Sequence, residues 1–233
     1  MSTEPRYFNP NFYYHVYNCG IEKRDVFLTA SDYHRFLKTA DYYLHFQRLA
    51  FSQFSQLNDE ARQVYASLNP KGLETLRVRV ISYCLMPNHF HLVLKPEKEN
   101  GASLFLADLA NSYTRYFNVK NERIGALFQG PFKAKEITTE ESLLQVTRYI
   151  HLNPVSSAKT NPFDTLNAED YPYSSYREWL GLDNLNPKGL NITNGKEIHK
   201  WLGAAGGQSV YRVFVEAKIG QKPEIGIEDL IIE

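Results

Sequence analysis

The sequence predicts an α+β fold: a ferredoxin-like antiparallel sheet with helices on one face, plus a C-terminal helical or irregular extension. Three observations predict it. Short β-branched and aromatic runs alternate with longer amphipathic runs in the order β-α-β-β-α-β-α. Two strand-like runs, RVRVISYCL (77–85) and HFHLVL (89–94), are separated only by the turn residues Met86-Pro87-Asn88, so they read as a hairpin-like pair. A split order of this kind, with a hairpin at its centre, suits an antiparallel sheet that leaves its helices to one side.

The first strand spans Phe12 to Asn18, aromatic and β-prone, with Gly20 as the turn signal after it. Residues 31–50 open with Ser31 as N-cap and carry Phe36, Leu37, Ala40, Tyr43 and Leu44 at helical spacing. Residues 51–76 are polar, helix-compatible and broken at Asn69-Pro70 and Gly72, which reads as an insertion. After the two central strands, ended by Pro96, a helix over 103–118 aligns Leu106, Ala110, Tyr113 and Phe117 on one stripe. Phe132 to Ile137 is a short strand behind Gly130-Pro131. Thr138 and Glu141 make a capping-box pattern, and the helix they open runs from about 139 to 152, stopping before Pro154. The chain divides into a domain over 1–160 and an extension over 161–233. The extension holds a short helix at 175–180, a linker rich in Asn, Gly and Pro over 182–195, and a helical tail over 195–219.

Composition narrows the class of function. Hydrophobic residues are 43% and charged residues 22% of the 233, enough apolar material for a real core and against wholesale disorder. Two cysteines, Cys19 and Cys84, outside any CxxC pair, exclude a disulfide framework and a zinc ribbon. No apolar run reaches the length of a membrane span. The N-terminal MSTEPRYFNPNFYY lacks a signal-peptide core, so the expectation is a cytoplasmic protein with no membrane partner. Basic and acidic residues balance at 26 each, which argues against a polycationic coat for nucleic acid. The balance is uneven along the chain: residues 1–159 hold 19 basic and 15 acidic side chains (net +4), and 160–233 hold 7 and 11 (net −4). The first part suits an anionic partner, with the acidic remainder expected to limit indiscriminate binding.

His89-Phe90-His91 is the most informative triplet. On a strand, alternation sends His89, His91 and Val93 to one face and Phe90, Leu92 and Leu94 to the other. The apolar set belongs under the helices, so both imidazoles project from the helix-free face, spaced to ligate one metal ion. Two half-exposed histidines on a solvated strand fit the same pattern. Residues 143–154, LLQVTRYIHLNP, gather Leu143, Val146, Thr147 and Ile150 into one core stripe. Tyr149 and Asn153 are one turn apart on a flank. His151 points about 160° from Tyr149, which rules it out as a third imidazole ligand if Tyr149 faces the histidine strand. The amide oxygen of Asn153 suits a hard cation such as Mg²⁺ or Mn²⁺. A boundary tyrosine and a helix-ending asparagine are equally compatible with these residues taken singly.

Five segments occur together in order: Tyr14-His15-Val16-Tyr17-Asn18-Cys19-Gly20, Met86-Pro87-Asn88-His89-Phe90-His91-Leu92-Val93, Phe128-Gln129-Gly130-Pro131-Phe132-Lys133, Arg148-Tyr149-Ile150-His151-Leu152-Asn153-Pro154-Val155 and Tyr171-Pro172-Tyr173-Ser174-Ser175-Tyr176. Over about residues 12–180 the chain resembles the single-tyrosine HUH transposases of insertion-sequence type, and most of all their REP-associated branch. The resemblance implies a ferredoxin-like nuclease domain that cleaves and rejoins single-stranded DNA bearing hairpins or palindromic repeats. It implies a divalent ion, Mg²⁺ or Mn²⁺, on His89, His91 and Asn153, and Tyr149 as nucleophile, forming a 5′-phosphotyrosine. Cys19 departs from the family, where Arg is common, so a phosphate contact is in doubt. Relatives act as homodimers that supply the tyrosine helix across the interface, or as monomers, and the resemblance leaves that choice open.

The implied chemistry is consistent with the residue types. Energy conserved in a phosphotyrosine bond lets a 3′-hydroxyl reverse the step without a nucleotide triphosphate, and the sequence has no GxxxxGK[ST] motif. A tyrosine hydroxyl with a pKa near 10 needs help from the metal or a base. For DNA contact, residues 112–135 carry Arg115, Lys120, Arg123, Lys133 and Lys135 against the single acid Glu122; a solvated face accounts for each of them equally well. Lys133 and Lys135 alternate onto one strand face, and Arg115 and Arg123 are the candidates for phosphates of a folded hairpin. Tyr113 and Tyr116 are rival nucleophiles without an asparagine four residues on. A catalytically silent, domesticated DNA-binding protein on the same fold and a water-activating metallohydrolase are the alternatives.

Overall fold

Four strands, β1 (Tyr13–Cys19), β2 (Val78–Met86), β3 (His89–Pro96) and β4 (Lys133–Ile137), pair antiparallel in the order β2-β3-β1-β4. They belong to a computed structural model that describes residues 7–156, 167–182 and 190–219. The order is that of a ferredoxin-like sheet, as the element sequence predicts. Pro87 and Asn88 alone join β2 to β3, and the turn is tied down. Its carbonyls accept the N–H groups of Val26 (2.7 Å), Phe27 (2.9 Å) and Gly20 (2.8 Å), which fixes where β3 begins.

The two faces of β3 are covered by different helices. Phe90, Leu92 and Leu94 pack under α1 (Ala30–Tyr43) and α4 (Gly101–Lys120); the Phe36 and Phe90 rings lie 5.1 Å apart. Tyr113 is fully buried in that layer with its hydroxyl donating to the Val26 carbonyl, and Tyr116 donates to Asp32. Both rival tyrosines are therefore core and cap residues of the other layer. The opposite face was expected to be free of helices, but α5 (Glu140–Ser156) lies across it against β2 and β3. Alternation identifies which side chains share a face and says nothing about what covers that face. Leu143, Val146, Thr147 and Ile150 are the buried stripe of α5, as their spacing predicts, and full burial of each aliphatic side chain contributes ~1.5–3 kcal/mol.

Several boundaries differ from the sequence expectation; α1 is capped by Thr29 in place of Ser31, and α4 is longer by two residues at each end. α1 stops at Tyr43 instead of reaching 50, because the following residues pair with the approach to β2: Phe46 N–H donates to Thr75 and Arg77 N–H to Leu44. The cap of α5 is Thr139, whose Oγ accepts the Ser142 N–H at 3.1 Å, in place of the Thr138–Glu141 pair. α5 continues through Pro154 to Ser156. In the last turn a proline forfeits one hydrogen bond, here to Ile150, and the buried packing of the helix outweighs that loss.

The insertion forms two short helices, α2 (Phe51–Gln56) and α3 (Asp59–Leu68), against the end of α1 through Tyr42, Phe51, Phe54 and Tyr65. The C-terminal part is built into the fold. Leu85 N–H donates to Tyr173, Ser175 N–H to Tyr83 and Asn194 N–H to Val80, so the outer edge of β2 is paired. Between these contacts α6 (Tyr176–Trp179) places the Trp179 indole N–H on the Ile81 carbonyl at 3.0 Å. α7 (Gly195–Ala204) and α8 (Gln208–Glu216) bring Trp201, Leu202, Tyr211 and Val215 into the core. Most of the expected linker, residues 183–189, lies outside the described residues, as does the expected boundary at 160. Among the described residues no helix is long and apolar enough to cross a membrane.

Candidate active site

β3 carries His89 and His91 on one face, with ring centroids 4.9 Å apart and planes nearly perpendicular. α5 brings Tyr149 onto the same spot: its ring meets His91 edge-on at 5.4 Å. One turn later Asn153, 5% exposed, sets its amide oxygen 3.3 Å from His89 Nε2. The four residues that the sequence singles out on a strand and a helix thus converge within one chain. His151 points away and is fully buried between Tyr211 Oη (2.8 Å) and Ser175 Oγ (2.9 Å), as the helical arithmetic predicts.

Both strand imidazoles are neutral near neutral pH. Burial pulls His89 down to about 4, against a small upward pull from the Asn153 contact. Burial, with His89 and His15 beside it, holds His91 well below the ordinary imidazole range. A neutral imidazole has one N–H. In His89 the contact from Nδ1 to Asn88 Oδ1, at 2.6 Å, is shorter than that from Nε2 to Asn153 Oδ1, at 3.3 Å, which favours the tautomer with the proton on Nδ1. Nε2 then points a lone pair at Asn153 Oδ1, another acceptor. In that tautomer two acceptors face each other with no proton between them.

That arrangement fits a cation. Two ligands at right angles on an octahedral Mg²⁺, each about 2.1 Å from the ion, stand about 3 Å apart. The donor set is two neutral imidazoles and one amide oxygen, the ligand chemistry a divalent cation takes. Among the described residues no group of three or more His, Cys, Asp or Glu side chains is placed to hold a metal ion, so any site here depends on the Asn153 oxygen.

β1 adds residues that the motif reading of β3 and α5 passes over. His15 is fully buried, and its Nε2 lies 2.9 Å from His91 Nδ1. Tyr17, two residues on and on the same face, is paired in register with His91. The alternation in Tyr13-His15-Tyr17-Cys19 is the available signal, since it puts a second histidine on a strand face two residues from an aromatic one. Cys19 stands opposite His89 at the rim of the site, half-buried, with its thiol pushed up by burial.

The basic candidates separate. Lys133 and Lys135 are exposed on the edge strand β4, in register with Tyr17 and His15 and so on the site's face; Lys133 Nζ sits 5.6 Å over the Tyr17 ring. Arg115 is exposed on α4, in the layer behind the sheet. Arg123 follows α4 and is engaged locally, donating to Asn118 Oδ1 at 2.8 Å and to the Ala126 carbonyl at 3.4 Å. Neither arginine joins the cluster around Tyr149.

Comparison with known proteins gives a family match and a likeness of fold. The family model "Transposase IS200 like" matches residues 38–153, a span that begins in α1 and ends on Asn153. The solved "Structure of the REP associates tyrosine transposase bound to a REP hairpin" is similar at 14% identity, covering 82% of this chain and 88% of that one with a TM-score of 0.50, a likeness of fold. No curated protein matches the chain.

Proposed function

The chain belongs, through residues 38–153, to the IS200-like transposase family, and on that premise we propose that it cleaves and rejoins single-stranded, hairpin-bearing DNA with Tyr149 as nucleophile. The observation that carries the reading is the convergence of Tyr149 and Asn153 from α5 on His89 and His91 from β3. His89, His91 and Asn153 would hold one Mg²⁺ or Mn²⁺. Such an ion, when bound, supplies Lewis acidity to a non-bridging oxygen of the scissile phosphate.

The chain's own residues do the rest. α5, clamped from behind through His151, holds the Tyr149 ring edge-on to His91, which orients the hydroxyl for in-line attack. The Tyr149 oxygen bonds to phosphorus, the bond from phosphorus to the 3′-oxygen breaks, and that oxygen leaves as a 3′-hydroxyl. The proton lost by the tyrosine hydroxyl is matched by the one the departing 3′-oxygen takes up, through solvent, so the step is neutral in protons. A 3′-hydroxyl of another strand reverses the step and releases the tyrosine. Lys133 and Lys135 on the same face would hold phosphates beside the reacting one. The hairpin specificity proposed here draws on the similar solved structure, which was bound to a REP hairpin.

Incubation with hairpin-bearing single-stranded DNA and Mn²⁺, followed by a denaturing gel, tests the reading. A covalent protein–DNA adduct is expected, absent in Tyr149→Phe and absent after chelation. An adduct that persists in Tyr149→Phe removes this tyrosine as nucleophile. Hairpin binding without any adduct supports the silent DNA-binding alternative instead. Cleavage without a protein-linked product supports the metallohydrolase.

A further inference from the structure

We infer that His15 is the positioning residue for His91: it accepts the His91 Nδ1–H and so holds the His91 Nε2 lone pair toward the site. The role rests on the metal-dependent reading above. Both rings are inside the protein, His15 fully and His91 all but 2% buried, and His15 Nε2 and His91 Nδ1 are 2.9 Å apart. At that distance one proton lies between them. If His15 donates it, His91 carries its proton on Nε2 and presents an N–H to the site, which repels a cation. If His91 donates it, Nε2 is bare and available as a ligand. Only the second arrangement is compatible with His89 and His91 acting on one ion.

The strand pairing brings the two rings into this contact. β1 pairs with β3 so that Tyr17 faces His91 and His15 faces Val93. His15 therefore reaches His91 along the diagonal of the pair, with the rings stacked at 5.1 Å and 22°. Tyr149 packs edge-on against both rings, at 6.2 Å from His15 and 5.4 Å from His91. The same histidine thus buttresses the ring of the nucleophile. Metal-ligating imidazoles usually give their second N–H to a carboxylate, a carbonyl or water. A neutral imidazole in that place orients the ligand without adding negative charge, which leaves the ion's full charge for a phosphate.

The test compares Mn²⁺ binding by titration calorimetry in three proteins that all carry Tyr149→Phe: His15 intact, His15→Phe and His15→Gln. Phenylalanine keeps a ring and removes the acceptor; glutamine restores an acceptor at similar reach. The expected result is a loss of roughly 10- to 100-fold in Mn²⁺ affinity for His15→Phe, largely recovered in His15→Gln. Equal affinity in His15→Phe and the His15 protein overturns the positioning role alone. A His15 protein that takes up no Mn²⁺ overturns the metal reading and this role with it. Nitrogen-15 imidazole spectra of the unsubstituted, Mg²⁺-loaded chain supply a check independent of folding in the variants. A proton on His91 Nδ1 is expected, and a proton on Nε2 overturns the inference.

Discussion

Asn153 Oδ1 faces His89 Nε2 at 3.3 Å across the gap between α5 and β3, and in the tautomer that donates to Asn88 through the shorter 2.6 Å contact the two are both acceptors. A cation between them turns a repulsive contact into a bridging one. Mn²⁺ is therefore expected to raise the melting temperature of the wild-type chain and to leave His89→Ala and Asn153→Ala unshifted. Asn153→Asp separates this account from a plain hydrogen bond. It keeps an oxygen toward His89 whichever way the group turns, so its Mn²⁺ response is expected to persist. A lost response in Asn153→Asp, with folding intact by circular dichroism, would falsify the oxygen-ligand role.

Lys133 and Lys135 share the sheet face of the site, whereas Arg115 stands on the layer behind it. Replacing both lysines by Ala is expected to weaken single-strand binding and flatten its dependence on salt, by about 0.7 in log–log slope per lost phosphate contact. Arg115→Ala is expected to leave that slope unchanged. Fluorescence anisotropy across a salt series reads both. The opposite ranking would move the DNA path to α4.

His151 joins α5, the helix of Tyr149, to the C-terminal layer through Tyr211 and Ser175. His151→Ala leaves two buried hydroxyls short of a partner and opens a cavity, a loss of about 2–4 kcal/mol. Urea denaturation should show that loss while Mn²⁺ affinity stays within twofold. A selective loss of Mn²⁺ binding with normal stability would make His151 a ligand after all.

Glu178 is half-buried beside β2, accepting hydrogen bonds from Thr193 and Tyr83, and the loss of solvent around its carboxyl pushes it up to about 7 although those hydrogen bonds pull it down. A carboxyl raised in the folded state holds its proton there while the unfolded chain has already lost it. Its contribution therefore makes stability fall as pH rises from about 4.5 to about 7 and stay level above that. At ~1.4 kcal/mol per pKa unit the full span is about 3 kcal/mol. Glu178→Gln is expected to match the wild type near pH 4.5 and exceed it in stability at pH 8. Parallel pH profiles for the two proteins would remove Glu178 as the cause.

The acidic C-terminal part needs a narrower test than its composition suggests. Removing residues 181–233 would also take Trp201 and Tyr211 out of the core. Residues 220–233 alone carry one basic and four acidic side chains, a net of −3. Deleting those fourteen is expected to raise non-specific single-strand affinity at low salt. Unchanged affinity in the folded truncation would leave the neutral net charge without a role in DNA binding.

The order of elements along the chain, the shared face of His89 and His91, and the shared flank of Tyr149 and Asn153 were all legible in the sequence alone. They follow from local periodicities of two and 3.6 residues, which depend only on neighbouring positions. The resemblance over the motif segments added the role expected of each residue. Local pattern cannot say which surface a buried stripe packs against. That α5 lies on the histidine face, making the site a covered cleft, was decided by long-range packing of Leu143, Val146 and Ile150 on β2 and by the C-terminal layer behind His151. The same limit hid His15. Its contact with His91 spans 76 residues and depends on the register of β1 against β3, which exists only once the sheet has closed.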